Sequence, residues 1–236
     1  MELEEFKKEM VKKSNINLTD LQIHQFYGYM NLLQEWNEKI NLTAIVEPYD
    51  VILKHFVDSI TILNFIREND KIVDIGTGAG FPGIPIKIMK QGIKITLLDS
   101  LNKRIKFLDE VINKLKLEDI KTIHARAEEF GQAQEYREQF DIAVSRAVAP
   151  MNILLEYLLP TVKVGGKCIC MKGPEIEVEI ENSSKALKIL GGEIENVEKI
   201  TLADTDIKRT IIIVRKNSQT PNKYPRNAGT PSKTPI

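Results

Sequence analysis

The residue types most suited to chemistry are concentrated in one stretch, Lys71 to Pro85, which reads KIVDIGTGAGFPGIP. Asp74 lies in a short apolar run with the composition of a buried parallel strand. Four glycines follow in close succession: Gly76, Gly78, Gly80 and Gly83. This density of glycine lets the backbone adopt positive φ and approach a ligand closely. A helix is predicted to begin at about Pro82, because proline is well suited to the first turn of a helix. Strand, glycine loop and helix together predict a nucleotide-type site at the carboxyl edge of an open sheet.

A second carboxylate, Asp99, ends the next predicted strand. Nucleotide-binding sheets place an acid there that accepts hydrogen bonds from both ribose hydroxyls, in NAD and S-adenosylmethionine (SAM) sites alike. Asp74 favours SAM, because it could hold the methionine ammonium but would repel a pyrophosphate. The glycine spacing G-x-G-x-G also differs from the dinucleotide pattern G-x-G-x-x-G. Ala127 and Glu128, after the third strand, are predicted to flank the adenine, although Glu128 could equally be an acid that stabilises a helix N-terminus.

The residues after the fourth predicted strand indicate which atom could be modified. Most amino-group nucleic-acid methyltransferases carry Asn/Asp-Pro-Pro-Tyr there, whereas this chain has Val144-Ser145-Arg146-Ala147-Val148. Cys168 and Cys170 fall inside the next strand and are predicted to be core residues rather than nucleophiles. A substrate atom with a free lone pair and no proton to lose, such as guanine N7, would suit this site, because methyl transfer then needs positioning more than acid or base catalysis. Arg146 could face guanine O6, a phosphate or the methionine carboxylate.

Hydrophobic periodicity predicts an N-terminal helical extension over residues 1–65, a catalytic domain over 66–216 and a tail over 217–236. In the extension, Thr19 and Gln22 form a predicted capping box, and a second helix is expected from Pro48 to Phe65. His55 in this helix is either a functional residue or a helix-surface histidine. Strands are predicted at 71–75, 93–98, 120–124, 140–144, 166–171, 193–202 and 207–214. Helices are predicted at 83–90, 102–116, 149–158 and 176–190. This alternation predicts an α/β fold of class I methyltransferase type: a Rossmann-like, mostly parallel seven-stranded sheet that ends in an antiparallel hairpin.

Bulk composition excludes several classes of protein. The 236 residues are 42% hydrophobic and 28% charged, as in an ordinary soluble globular protein, and the net charge is zero. No global electrostatic field therefore attracts nucleic acid, and any basic surface must be local. No apolar run reaches the roughly 18 residues of a membrane span. Two cysteines and a charged N-terminus without a signal peptide predict a cytoplasmic protein.

The C-terminal residues differ in composition from the rest of the chain. From Arg215 onward there is no acidic residue, and four of the ten prolines fall in this segment. Its basic residues are Arg215, Lys216, Lys223, Arg226 and Lys233. Such a segment is expected to be either a disordered tail or an arm that orders on a partner. The run Lys223-Tyr224-Pro225-Arg226 favours an RNA partner, because Tyr and Arg can stack on bases and bind phosphate.

Several of these segments together resemble one family over nearly the whole chain. They are Trp36-Asn37 with Asn41-Leu42-Thr43, Lys54 to Ser59, Asp74 to Pro85, Leu98-Asp99-Ser100, Ser145-Arg146-Ala147 and Tyr224-Pro225-Arg226 with Gly229-Thr230-Pro231. The family is that of the small-subunit ribosomal RNA guanine-N7 methyltransferases, also called glucose-inhibited division protein B. The resemblance implies SAM-dependent methylation of a guanine N7 in bacterial 16S rRNA, as naked RNA or in a small-subunit particle.

The resemblance also implies roles for individual residues. The family's cofactor contacts carry over to Gly76, Phe81, Ala127, Glu128 and Arg146, with Asp74 and Asp99 in the same pocket. Gly78, in the glycine loop, is a further cofactor-binding candidate. Arg146 is the catalytic candidate, and no metal or protein partner is implied. Basic residues near the carboxyl edge or on the tail are RNA-binding candidates: Arg104, Lys172, Arg209 and Arg226. The alternatives are a SAM enzyme acting on a small molecule, a non-catalytic RNA-binding module and an NAD oxidoreductase.

Overall fold

A seven-stranded sheet forms the centre of the structure, a computed structural model that describes all residues from Met1 to Ile236. The strands are β1 (Lys71–Ile75), β2 (Lys94–Asp99), β3 (Ile120–His124), β4 (Phe140–Arg146), β5 (Val162–Lys172), β6 (Gly192–Thr201) and β7 (Lys208–Lys216). Their order in the sheet is β3-β2-β1-β4-β5-β7-β6, and β7 is antiparallel to both of its neighbours. The predicted fold class is therefore confirmed, including the antiparallel hairpin at the end.

The strand order explains where a ligand can bind. Consecutive strands run outward from β1 to β3, and the chain then returns to place β4 on the other side of β1. The loops after β1 and β4 consequently leave in opposite directions, which opens a crevice at the carboxyl ends of these two strands. Ile72 to Ile75 of β1 are all buried, as expected for a central parallel strand covered on both faces.

Ten α-helices surround the sheet. They are α1 (Leu3–Ser14), α2 (Asp20–Asn37), α3 (Pro48–Val51), α4 (Asp58–Ile60), α5 (Gly83–Met89), α6 (Asn102–Leu115), α7 (Ala127–Gln132), α8 (Met151–Leu158), α9 (Glu177–Leu190) and α10 (Thr230–Lys233). The predicted capping box of α2 is confirmed: Thr19 Oγ1 accepts from the Gln22 N–H at 3.2 Å, and Gln22 Oε1 accepts from the Thr19 N–H at 2.9 Å. None of the helices has both the length and the apolar composition needed to cross a bilayer.

The N-terminal helices share one apolar core with the sheet. Phe56 packs in the middle of that core, with ring centroids 5.1 Å from Phe26 and 5.4 Å from Tyr29. The single helix predicted from Pro48 to Phe65 is wrong in detail. A π-helix, Ile52–Val57, separates α3 from α4, the helical run ends at Ile60, and a 3-10 turn follows at Leu63–Phe65. A 3.6-residue periodicity cannot reveal a π turn, because side-chain spacing changes only within that turn.

The expectation of a disordered or partner-ordered tail is also wrong. Residues 217–236, called the tail below, fold back on the chain itself, and Thr220 and Tyr224 are buried. The Arg226 guanidinium pairs with the fully buried Glu156 carboxylate, with Nη2 and Oε2 2.6 Å apart. Composition suggested disorder because it cannot show a long-range pair of this kind.

Asp74 ties the end of β1 to the glycine loop. Its Oδ2 accepts from Thr77 Oγ1 at 2.7 Å and from the Gly83 N–H at 2.8 Å, whereas its Oδ1 is buried without a hydrogen-bond partner. The side chain is fully buried, and this burial raises the pKa of Asp74 from 3.8 to about 6, against the opposing effect of its two donors. The carboxylate therefore fixes the loop while one of its oxygens is left unpaired.

We expect the raised pKa of Asp74 to affect how the stability of the protein depends on pH. Between pH 4 and 6 the folded chain holds a proton on Asp74 that the unfolded chain has released, so the contribution of Asp74 to stability falls as the pH rises. Asp74→Asn keeps the shape and an acceptor but removes the titration. The free energy of unfolding of the wild type should fall relative to that of Asp74→Asn by about 2–3 kcal/mol between pH 4 and 7.

Urea unfolding followed by circular dichroism would measure this difference. The exposed Asp206, changed to Asn, is the matched control and should leave the profile parallel to that of the wild type. Parallel wild-type and Asp74→Asn profiles would contradict the raised pKa.

Candidate active site

Two adjoining cavities lie at the carboxyl edge of the sheet, where the crevice was expected. Their volumes are about 180 and 450 Å³. They share Gly76, Asp99, Ser100 and Val148 as lining residues. Together they fall in the size range typical of small-molecule sites, roughly 300–1,000 Å³. The smaller one is also lined by Leu98, Ala127, Glu128 and Tyr157, and it is called the adenosine cavity below because the residues predicted to flank an adenine line it. The larger one, called the transfer cavity, is also lined by Thr43, His55, Phe81 and Arg146.

Asp99 lies at the junction of the two cavities, as its position at the end of β2 predicted. It is 3% exposed, and its Oδ2 accepts from the Gly78 N–H at 2.9 Å and from Arg104 Nη1 at 3.2 Å. Its Oδ1 accepts from the Leu101 N–H at 2.9 Å. These contacts hold the carboxylate in place before any ligand binds. Oδ2 already accepts two hydrogen bonds, so Oδ1 keeps the free lone pair that a ribose hydroxyl could use.

The glycine loop provides room for a ligand against its main chain. Gly76 and Gly78 line the transfer cavity with φ values of +71° and +62°. A Cβ placed on Gly78 would meet nothing within 4 Å, whereas one on Gly76 would lie 2.6 Å from Val148 Cγ2. The side of the loop at Gly78 is therefore open space of the kind a methionine chain could fill. Asp74 does not line either cavity, so its hydrogen bonds support the loop from behind.

Ala127 and Glu128, the residues predicted to flank the adenine, open α7 and line the adenosine cavity, and Glu128 also lies in the first turn of that helix. Glu128 is 5% exposed, and its Oε1 accepts from the N–H of Gly229 at 2.8 Å. The size of the cavities, the placement of Asp99 and the open loop all fit SAM. SAM would supply an electrophilic methyl group on its sulfonium.

Arg146 ends β4 and faces the transfer cavity. Its Nη1 donates to the Lys54 carbonyl and to Asp58 Oδ2, each at 3.1 Å, and its Nη2 donates to His55 Nδ1 at 3.1 Å. The guanidinium carbon also lies 5.1 Å from the centroid of Phe81. Burial lowers the pKa of Arg146, and the Asp58 carboxylate opposes this change. The position of this cation is therefore fixed by three partners from the N-terminal extension.

His55 is not the helix-surface residue that periodicity suggested. It is buried, and its ring stacks on Phe81 with centroids 4.2 Å apart and planes at 12°. Burial and the Arg146 charge lower the pKa of His55 to about 3, so the ring is neutral at physiological pH. Because Arg146 can only donate, Nδ1 of His55 accepts, and the ring proton is on Nε2.

This tautomer leaves a hydroxyl proton available in the transfer cavity. His55 Nε2 donates to Thr43 Oγ1 at 2.9 Å, and the N–H of Ile45 donates to the same oxygen at 3.0 Å. With both lone pairs of Thr43 used, its hydroxyl can act only as a donor. Sequence reasoning gave no role to Thr43 and left His55 as either functional or a helix-surface residue, although both lie in segments that carry the family resemblance.

The four RNA-binding candidates are all engaged in ion pairs. Arg104 pairs with Asp99, Lys172 with Glu179, Arg209 with Asp58 and Arg226 with Glu156. Lys172 is also buried and donates to the carbonyl of Ala149. By contrast, Arg126, which lines the adenosine cavity, and Lys103, in the first turn of α6, are exposed and form no ion pair. Sequence reasoning did not select these two residues, because exposure depends on the tertiary structure.

Cys168 and Cys170 are fully buried in β5, as the sequence predicted for core residues. Burial raises the pKa of Cys170 to about 12 and raises that of Cys168 well above its ordinary value, so neither forms a thiolate at neutral pH. Neither residue lines the cavities, and the transfer cavity therefore contains no cysteine nucleophile.

Comparisons with known proteins agree with this geometry. The model of the rRNA small subunit methyltransferase G family matches residues 22–211. A protein of that name from Alkaliphilus oremlandii is 51% identical over 238 residues, covering all of both chains. Another, from Acetivibrio thermocellus, is 56% identical over 94% of this chain and 91% of its own.

Solved structures with low sequence identity show the same fold. M. jannaschii TYW2, crystallised in complex with AdoMet, is 16% identical, has a TM-score of 0.54 and is matched over 67% of this chain and 74% of its own. Taken with the family model and the two relatives, these findings show that the chain belongs to the rRNA small subunit methyltransferase G family and is a SAM-dependent methyltransferase.

Proposed function

We propose that this chain transfers the methyl group of SAM to N7 of a guanine in bacterial 16S rRNA, in the cytoplasm. We choose N7 as the methyl acceptor because the transfer cavity contains no available base. His55 Nδ1 is occupied by Arg146, and the Asp99 carboxylate is held by Gly78 and Arg104. Guanine N7 has a lone pair and no proton, so its methylation needs no base.

In this proposal the chain contributes position rather than proton transfer. Holding donor and acceptor in line is worth several kcal/mol of activation free energy. Arg146, fixed by Asp58 and His55, presents a cation to the transfer cavity, and Thr43 presents a hydroxyl donor. Both groups suit an acceptor oxygen, which can be guanine O6 or the methionine carboxylate.

The structure supports the proposed cofactor-binding residues more strongly than the proposed RNA-binding residues. The residues proposed for the cofactor are Asp74, Gly76, Gly78, Phe81, Asp99, Ala127, Glu128 and Arg146. All of them except Asp74 line a cavity, and Asp74 acts through the loop. For RNA, Arg104 and Arg209 remain candidates because their side chains are partly exposed and the Nη2 group of each has no hydrogen-bond partner. Arg226 is exposed to a similar extent, but all three of its guanidinium nitrogens donate to Glu156 or Thr234. The pairing of Lys172 and Arg226 with buried or nearby acids supports a structural role for them instead.

The ribosomal substrate is favoured over a small molecule by the names of the relatives. Each is named for the small-subunit ribosomal RNA and matches nearly the full chain. The proposed RNA surface also includes the exposed Arg126 and Lys103. Because the net charge is zero, RNA affinity should be modest and should fall with salt, with a slope set by the few cations that contact phosphate.

The deciding experiment is transfer of tritiated methyl from SAM to small-subunit particles purified from a strain that lacks the gene. We expect label in 16S rRNA that is recovered as 7-methylguanosine after nucleoside digestion. Arg146→Ala should lower transfer by at least tenfold in a folded protein, while Arg215→Ala, at an exposed residue far from the cavities, should not. Label in another nucleoside or no label, with SAM still bound, would overturn the proposal.

Asp99→Ala should weaken SAM binding by about 1–3 kcal/mol, roughly 5- to 150-fold in Kd, because it removes the acceptor for the ribose and releases Gly78 and Arg104. Isothermal titration would measure Kd, and Asp206→Ala is an exposed control. Unchanged affinity in a folded Asp99→Ala protein would remove this carboxylate from the ribose site.

Thr43→Val should lower methyl transfer by roughly 5- to 150-fold, because it replaces the donor hydroxyl with a methyl group of similar size. Thr43→Ser should retain most activity. A loss confined to SAM affinity would identify the methionine carboxylate as the acceptor. A loss that persists at saturating SAM would identify the guanine. Wild-type affinity and transfer in Thr43→Val would contradict a role for the hydroxyl.

A further inference from the structure

The tail runs beside the adenosine cavity and forms part of it. Gly229 and Ser232 line this cavity together with Asp99, Ala127 and Glu128. The cavity retains a volume of about 180 Å³ with the tail in place. The tail is therefore a wall of the cavity and does not fill it.

The wall is bonded directly to a proposed adenine-site residue. The N–H of Gly229 donates to Glu128 Oε1 at 2.8 Å, and Glu128 is 5% exposed. A buried carboxylate strongly favours such a donor, because an unpaired one is costly. Ser232 Oγ in turn donates to the Gly229 carbonyl at 3.0 Å, which holds the turn that leads into α10. The Glu128 carboxylate thus links α7, which lines the cavity, to the tail.

A second buried carboxylate fixes the tail just before the wall. Glu156, fully buried in α8, accepts from the Arg226 N–H at 2.8 Å, from Arg226 Nε at 2.9 Å and from Arg226 Nη2 at 2.6 Å. Glu156 has no other hydrogen-bond partner. Bidentate arginine–carboxylate pairs are strong and geometrically specific, and removing one partner of a buried pair is severely destabilising. Arg226 consequently sets where the residues after it can lie.

Further contacts fix the path of the tail as it approaches the Arg226–Glu156 ion pair. Arg137 donates from Nη1 to the Tyr224 carbonyl at 2.7 Å and from Nη2 to the Thr220 carbonyl at 2.8 Å. Pro225 packs where Gly131 has no side chain, since a Cβ there would lie 2.9 Å from Pro225 Cγ. The path of the tail is therefore specified from Thr220 to Arg226 by contacts with the catalytic domain.

We propose that the tail is a component of the cofactor site: residues 229–236 close the adenosine cavity against Glu128 and thereby increase affinity for SAM. This proposal rests on the assignment of that cavity to SAM. It gives the basic, proline-rich segment a role in cofactor binding rather than in binding RNA. The wall also lies outside residues 22–211, the part of the chain that the family model matches.

The test compares the full chain with a chain that ends at Ala228. This truncation keeps Arg226 and its contacts with Glu156, so the catalytic domain should stay folded. We expect the Kd for SAM, measured by isothermal titration, to rise at least tenfold. The matched control is Lys223→Ala, an exposed tail residue outside the cavity lining, which should leave Kd unchanged.

Hydrogen exchange on the intact protein gives a second measurement that does not need a truncated chain. We expect SAM to slow amide exchange in residues 227–234. Unchanged affinity on truncation, tighter binding, or exchange in 227–234 that SAM leaves unaltered would each overturn the proposal. Loss of methyl transfer at saturating SAM with unchanged Kd would instead assign the tail to the RNA. If the full chain failed to bind SAM, the cofactor assignment and the tail proposal would fall together.

Discussion

The active edge of this structure depends on one buried carboxylate, that of Asp58. It is 2% exposed and accepts from Arg146 Nη1 at 3.1 Å and from Arg209 Nε at 3.2 Å. These three residues come from the N-terminal extension, the centre of the parallel sheet and the antiparallel hairpin. Leaving a buried charge without a partner typically costs about 3–5 kcal/mol, and here two guanidiniums compensate the Asp58 carboxylate. These two ion pairs therefore make the extension an integral part of the catalytic edge.

Buried acids organise the other loops of this edge in the same way. Asp74 holds the glycine loop, Asp99 holds Gly78 and Arg104, and Glu128 and Glu156 hold the tail. In each case backbone N–H groups or arginines that would otherwise lack partners satisfy a carboxylate removed from water. This arrangement explains how a chain of zero net charge can have a strongly polar site. Its charges are used mainly to position loops.

Such an edge suits a reaction that needs placement more than proton transfer. Both ring nitrogens of His55 are engaged, by Arg146 and Thr43, and its low pKa keeps the ring neutral. A fixed neutral ring stacked on Phe81 cannot serve as a general base, but it can orient the groups around it. Preorganised donors of this kind contribute to catalysis because they need no rearrangement during the reaction.

The sequence by itself determined the features that depend on neighbouring residues. The apolar run at β1, the glycines after it and the strand–helix alternation predicted the sheet, the crevice and the position of Asp99. The contacts of His55, Thr43 and the tail were decided only by tertiary structure. His55 and Arg146 are 91 residues apart, Arg226 and Glu156 are 70 apart, and Arg209 and Asp58 are 151 apart. Local periodicity reports the face of an element and contains no information about which distant charge will be buried against it.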